Sequence, residues 1–244
     1  MSCIIELKNA GYSAQNRKLA NSISYCFEEG KTTALVGPSG CGKSTVLKLA
    51  AGLFAPDEGA VLFRGKDLSR MNKIENLAFR KEAAVVFQDS ALWANQNLFQ
   101  ILDLPLRVHF PLMTKKQREI RIESVVAEVG YKKDLGIRPA GLSMGEQKLI
   151  AFARALMCRP ALLYLDEWTE SLDETSSQRL IDMVKKLQDE GVSFILVSHD
   201  VRIVRALADF VIMILDGRIF IRFTREQIEG DDFFATFIEK GMES

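Results

Sequence analysis

The chain has 244 residues, 48% of them hydrophobic and 26% charged, an ordinary globular composition with length enough to bury a large core. Lys plus Arg and Asp plus Glu each total 32, a formal net charge of +0, which excludes the basic footprint of a nucleic-acid binder and simple electrostatic attachment to anionic lipid. Met1 to Lys8 has no basic segment ahead of an apolar one, so no signal peptide is expected, and no apolar run is long enough to span a bilayer. Any work at a membrane then needs a partner that spans it. The four cysteines, Cys3, Cys26, Cys41 and Cys158, form no Cys-x-x-Cys pair. Their spacing suggests neither a zinc site nor a disulfide framework, and reduced thiols in a cytosolic protein are expected.

Five continuous apolar runs are expected as buried strands: Thr32–Val36, Ala83–Phe87, Ala161–Leu165, Ser193–Val197 and Phe210–Leu215. Runs of this kind, separated by helical stretches, suit a parallel sheet covered on both faces. The first leads into Gly37-Pro38-Ser39-Gly40-Cys41-Gly42-Lys43-Ser44-Thr45, followed by a helix-like stretch, Val46 to Ala51. Gly, four free positions, Gly, Lys and Ser or Thr is the phosphate-binding loop pattern. A Gly-rich turn that opens a helix aims several backbone N–H groups at one point, where a polyphosphate binds. Lys43 adds a positive charge for the outer phosphates, and Ser44 a hydroxyl for Mg²⁺. The nearby N–H groups would lower the Cys41 pKa, although a small side chain suits that position without further reason.

The second run ends at Gln88, and from Asp89 to Arg159 no strand-like run occurs. From Thr114 onward, Ile120, Ile122, Val125, Val126 and Val129 recur near helical spacing until Gly130, with a further break at Gly141. Leu142-Ser143-Met144-Gly145-Glu146 then opens a helix over Gln147–Leu156. A helical subdomain inserted into an α/β core is expected here. The third strand ends in Asp166-Glu167, placed to hold Mg²⁺ through water and to polarise water beside a terminal phosphate; the fourth ends in Ser198-His199. In open parallel sheets ligands bind beyond the carboxyl ends of the strands, so Gly37, Gln88, Asp166, Glu167 and His199 should converge. After Asp216-Gly217 a short hairpin arm, Arg218 to Arg222, precedes a helix. Asp231 or Asp232 would cap it, and Phe233, Phe234, Phe237 and Ile238 would share a face that covers either the protein's own core or another subunit.

Taken together, these motifs resemble the ATP-binding cassette (ABC) ATPases over nearly the whole chain. Besides the phosphate loop and Asp166-Glu167, the matches are Ser143-Met144-Gly145-Glu146 for the signature, Gln88 for the glutamine loop, Ser171-Leu172-Asp173 for the aspartate loop and His199 for the switch histidine. The resemblance implies a P-loop NTPase (RecA-like) α/β fold. Its core would lie at 1–88 and 160–228 with a mainly parallel sheet and an N-terminal antiparallel β part. A helical subdomain would occupy 89–159 and a helical tail 229–244. It also implies ATP and Mg²⁺ as ligands, the metal held by Ser44, Gln88 and Asp166. Lys43, Gln88, Glu167 and His199 are then the catalytic group, and a head-to-tail homodimer presents the signature of one copy to the ATP of the other.

Two residues depart from the family pattern: Met144 stands where Gly is usual, which requires a negative φ, and Trp168 stands where Pro is usual. The aromatic that stacks on adenine is not settled, because Tyr12 is available but Ala14 holds the usual place. Phe87-Gln88-Asp89-Ser90-Ala91-Leu92-Trp93, with Leu98-Phe99 and Leu104-Pro105-Leu106-Arg107, looks like the ATPase subunit of Mla- or Mce-type lipid transporters. That implies a peripheral place on the cytoplasmic side of the inner membrane, with permease subunits, a small regulatory subunit and a membrane-anchored substrate-binding protein as partners. Transport of another solute and a non-transport cassette role stay open as alternatives.

Overall fold

The computed structural model describes residues 2–230, so the expected cap at Asp231 or Asp232 and the Phe233–Ile238 face lie outside the described residues. The first two strands, β1 (Cys3–Ala14) and β2 (Arg17–Glu28), form a hairpin. Gln15 and Asn16 turn the chain with φ of 51° and 60°, the two-residue mirror-image turn that matches strand twist. Then follow β3 (Thr32–Val36), α1 (Lys43–Ala50), β4 (Glu58–Phe63), β5 (Lys66–Asp67), α2 (Lys73–Glu82) and β6 (Ala83–Val86). Three helices come next, α3 (Leu98–His109), α4 (Lys115–Val129) and α5 (Met144–Leu156). The chain returns to the sheet with β7 (Leu162–Asp166), α6 (Glu174–Asp189), β8 (Ser193–Val197), α7 (Val201–Leu207), β9 (Phe210–Leu215), β10 (Arg218–Thr224) and α8 (Arg225–Gly230).

Two sheets result. The antiparallel one has the order β2-β1-β4-β5; the other has the order β10-β9-β3-β8-β7-β6, parallel except for β10, which pairs antiparallel with β9. Every residue of β3, β7 and β8 is buried, as continuous apolar strands covered on both faces require. Alternate side chains serve two cores. Ala34, Val36, Leu163, Leu165, Phe194 and Leu196 join the cluster that runs on into α3, α4 and α5. Leu35, Leu162, Tyr164, Ile195 and Val197 join the cluster beneath the antiparallel sheet and α1. The three helices therefore pack as a continuation of one face of the parallel sheet. An Arg118–Asp103 ion pair of 2.6 Å ties α4 to α3. Among the described residues no helix is long and apolar enough to cross a membrane.

One expectation is overturned. Cys3 and Cys26 are joined in a disulfide, their Cα atoms 5.4 Å apart, within the span a disulfide bridges. Linear spacing carried no hint of it, because the two cysteines meet only across the β1–β2 hairpin, where Cys3 lies opposite Glu28, two residues from Cys26, beside a register irregularity between Cys3 and Ile5. Cys41 and Cys158 remain free thiols.

Candidate functional site

The phosphate loop is a backbone structure first. Gly37 has φ of 139°, and a Cβ there would lie 2.2 Å from the Ile214 carbonyl oxygen. Gly42 caps α1 at φ 108°, and its Cβ would meet the Leu19 carbonyl oxygen at 2.3 Å. Only glycine lets the loop bend this tightly between β9 and the antiparallel sheet. Lys43 is buried, and its Nζ donates to the carbonyls of Gly37 at 2.7 Å and Pro38 at 2.8 Å. Its charge is thus drawn back over the loop whose N–H groups form the nest.

A cleft of about 500 Å³ opens beside the loop, lined by Ser39, Gly40, Gly42, Lys43, Ser44 and Thr45, by Gln88, Glu167, Val197 and His199 from the strand ends, and by Leu19 and Glu170. Gly37, Pro38 and Cys41 are not among the residues that line it. Asp166 is buried and accepts a hydrogen bond from Ser44 Oγ at 3.0 Å. Hydroxyl and carboxylate oxygens this close beside an anion nest fit a hard divalent cation such as Mg²⁺. Burial raises the Asp166 pKa, with the Ser44 hydroxyl and the lysines Lys48, Lys148 and Lys43 opposing it. Gln88 Nε2 donates to Glu170 Oε2 at 3.0 Å, which ties the end of β6 to the turn after β7.

Glu167 carries two constraints. Its φ is 44°, a left-handed conformation unusual for a side-chain-bearing residue, and its N–H donates to the Val197 carbonyl at 3.1 Å. Burial pushes its carboxyl up to about 7; the His199 backbone opposes this and the Asp166 charge adds to it. His199 Nε2 approaches Glu167 Oε1 at 3.1 Å, without the alignment of a hydrogen bond. Burial and the Lys43 ammonium hold His199 below its usual pKa, so the imidazole is neutral at pH 7 and this contact is not a full ion pair.

The signature residues lie elsewhere. Ser143 caps α5: its Oγ accepts from the Glu146 N–H at 3.2 Å, and Glu146 accepts from the Ser143 N–H at 3.0 Å. Lys133 anchors Glu146 at 2.6 Å. Met144 is 67% exposed and has no positive φ, which satisfies the condition its side chain imposes. Gly145 lies against the aspartate loop, where a Cβ would stand 3.0 Å from the Ser171 carbonyl oxygen and 3.6 Å from Leu172 Cδ2. Asp173 caps α6, accepting from the Ser176 N–H at 2.9 Å. None of residues 143–146 or 171–173 lines the phosphate cleft. The predicted residues therefore form two clusters on one chain.

Leu19, Glu170 and Lys148 escaped the sequence reading. Leu19 comes from β2, far along the chain, and Glu170 from a turn with no periodic pattern. Lys148 is buried on α5, where helical spacing marks only an ordinary polar position. One other expectation changes, at Cys41, and Tyr12, left open by the sequence, is a packed residue. Burial outweighs the loop N–H groups at Cys41 and raises its pKa. Tyr12 stacks on Phe54, ring centroids 4.7 Å apart, and is not among the residues lining the cleft. Trp168 is a packing residue, buried 5.6 Å from the Phe152 ring with its indole N–H unpaired.

A family model described as ABC transporter matches residues 20–170. The "Uncharacterized ABC transporter ATP-binding protein YejF" of Escherichia coli K12 is 38% identical over 205 residues, 82% of this chain but 39% of that protein. The "Intermembrane phospholipid transport system ATP-binding protein MlaF" of Haemophilus influenzae is 33% identical over 92% of this chain and 85% of its own length. The "Nickel import ATP-binding protein NikE" of Shigella flexneri is 35% identical over 86% and 81%. The dimeric post-hydrolysis structure of the ATP-binding cassette MJ0796, bound to ADP and Pi, superposes with a TM-score of 0.84 at 25% identity, covering 91% of this chain and 98% of that one. With the phosphate loop, the strand-end carboxylates and more than half of the chain matched, the protein belongs to the ABC transporter family, as an ATPase cassette that binds ATP with Mg²⁺.

Proposed function

We propose that the chain works as one half of a head-to-tail ATPase pair that drives a membrane permease moving phospholipid. The observation that carries the pairing is the split site: the cleft holds the phosphate loop, Gln88, Glu167 and His199, while Ser143 lies outside it and Gly145 lies against the aspartate loop. A second copy turned head to tail supplies the missing part. The N-terminus of its α5, with Ser143, Met144, Gly145 and Glu146, faces the terminal phosphate, where backbone N–H groups and the helix dipole favour negative charge. Ser171, Leu172 and Asp173 sit at the seam. The dimeric state of the superposed MJ0796 cassette supports this reading.

In this assignment the loop from Gly37 to Thr45 cradles the phosphates and Lys43 turns from the loop carbonyls to the outer ones. Ser44, Gln88 and Asp166 hold Mg²⁺, which supplies charge neutralisation for the transferred phosphoryl group. Glu167 orients the attacking water and accepts its proton, and His199 bridges the terminal phosphate and the partner's aspartate loop. One ATPase domain over 1–228 carries the whole machinery.

Phospholipid as cargo is supported by the Gln88–Arg107 segment and by the similarity to MlaF; NikE is similar to a comparable degree and is named for nickel import. Half-exposed Trp93, its ring beneath the Arg154 guanidinium at 5.6 Å, belongs to the segment we assign to permease contact. Leu92 is partly buried against the protein's own core. The proposed place is the cytoplasmic face of the inner membrane, with permease subunits, a regulatory subunit and a membrane-anchored substrate-binding protein as partners and no nucleic acid. Affinity purification from membranes tests this. An integral membrane permease with bound phospholipid is expected. A permease free of lipid, or one that binds metal, overturns the cargo; ribosomes or DNA without any membrane protein overturn transport.

A further inference from the structure

Lys148 is a charged side chain where burial ordinarily excludes one: it is 2% exposed, inside α5. It is held by backbone carbonyls rather than by a carboxylate. Its Nζ donates to the Glu167 carbonyl at 3.0 Å and reaches the Phe87 carbonyl at 3.4 Å. Those carbonyls follow β7 and β6. One belongs to the left-handed carboxylate residue itself, the other to the residue just before Gln88. A single ammonium thus clamps two strand ends that each carry a site side chain.

The same helix holds the next stretch of chain with a second cation. Arg154 donates to the Ala91 carbonyl at 2.6 Å and to the Ser90 carbonyl at 3.2 Å, and Ser90 and Ala91 both have positive φ, 61° and 44°. Filling space at position 148 needs only an apolar side chain, and the desolvation cost of an ammonium is justified only if its hydrogen bonds hold something in place. Burial holds its pKa below the usual lysine value, and the charges of Glu170, Asp166, Glu167 and Asp89 oppose that shift.

We infer that Lys148 is a positioning residue: it fixes the backbone of Glu167 and the root of Gln88 to α5, so that the placement of the signature end of that helix is felt at the carboxylate of the same chain. This rests on the proposed roles of Glu167 and Ser143. A helix whose tip engages one nucleotide and whose second turn grips the residues serving another is a mechanical link between the two sites of a pair.

The test compares Lys148→Met and Lys148→Gln with Lys148→Arg, in the complex with its membrane partners, measuring kcat and KM for MgATP. Nucleotide-dependent association is measured with each change placed on a Glu167→Gln background. Thr114→Ala, remote from the cleft, controls for lost stability. The expected result is a kcat lowered about 10- to 100-fold with KM within about twofold, since small misplacement of a reacting group costs rate more than binding. Association on the Glu167→Gln background persists, and Lys148→Arg recovers a large part of the loss. An unchanged kcat in Lys148→Met overturns the inference, as does a parallel collapse of KM and association. Failure of both Lys148→Met and Lys148→Gln to fold assigns Lys148 to the core and also overturns it. A wild-type complex that neither binds nor hydrolyses MgATP removes the reading underneath; a wild type that does both, beside an equally active Lys148→Met, removes only this inference.

Discussion

At Glu167, backbone and side chain are both held away from their relaxed states. The left-handed φ of 44° costs on the order of 1–3 kcal/mol for a residue with a side chain, and burial pushes the carboxyl up to about 7. Neither makes sense as stabilisation; both place a basic oxygen at the end of a strand beside the phosphate nest. Glu167→Gln keeps the shape and removes the basicity. Hydrolysis should fall by about 10²–10³ or more while nucleotide stays bound, checked by phosphate release against retention of labelled ATP. The cysteines offer a second test. With Cys3 and Cys26 joined, denaturation without reductant should expose two reactive thiols, and reduction should expose four, counted with a chromogenic disulfide. Burial lifts the Cys158 thiol to about 11. A raised value means less thiolate at any pH below it, about one part in a thousand at pH 8, so alkylation of folded Cys158 should quicken roughly tenfold per pH unit. A plateau near pH 9 would contradict that environment.

Among the elements, four helices begin with the same reciprocal cap: Asn72 with Glu75, Asn97 with Gln100, Thr114 with Gln117 and Ser143 with Glu146. Each satisfies two backbone donors that the helix cannot. Thr114 and Gly130 bracket α4, and Gly130 takes the left-handed C-cap with φ of 82°. Thr114→Ala should cost about 1 kcal/mol, lowering Tm by roughly 2–4 °C for a chain of this size, with ATP turnover unchanged. Ser143→Ala removes an equivalent cap from a helix whose tip, on our proposal, faces a second copy's nucleotide, so it should lower turnover as well as Tm. Equal effects of the two changes on turnover would argue against that assignment.

Across the whole molecule, the decisive feature is that one chain holds two incomplete halves: a cleft with the phosphate loop, Gln88, Glu167 and His199, and a separate edge with the signature and Ser171. If pairing completes the site, the Glu167→Gln protein should pass from monomer to dimer with MgATP and return to monomer when EDTA removes the metal, followed by light scattering. A mass independent of nucleotide and metal would refute pairing through this surface.

The five apolar runs were legible because a strand covered on both faces has no freedom to be polar; observed and expected boundaries differ by a residue at most. The motif residues were legible because phosphate chemistry demands particular atoms at short, local spacings. Sequence by itself thus determined the α/β parallel sheet, the ATP-binding family and most of the residues that line the cleft beside the phosphate loop. Folding alone decided the Cys3–Cys26 bond, the direction of the Cys41 shift, the stacking of Tyr12 on Phe54, and the recruitment of Leu19, Glu170 and Lys148 to the site. The physical reason is range. Periodicity and motif spacing report forces between neighbours along the chain. Register, burial and the meeting of strand ends depend on residues that are distant in sequence and close only once the sheet is assembled.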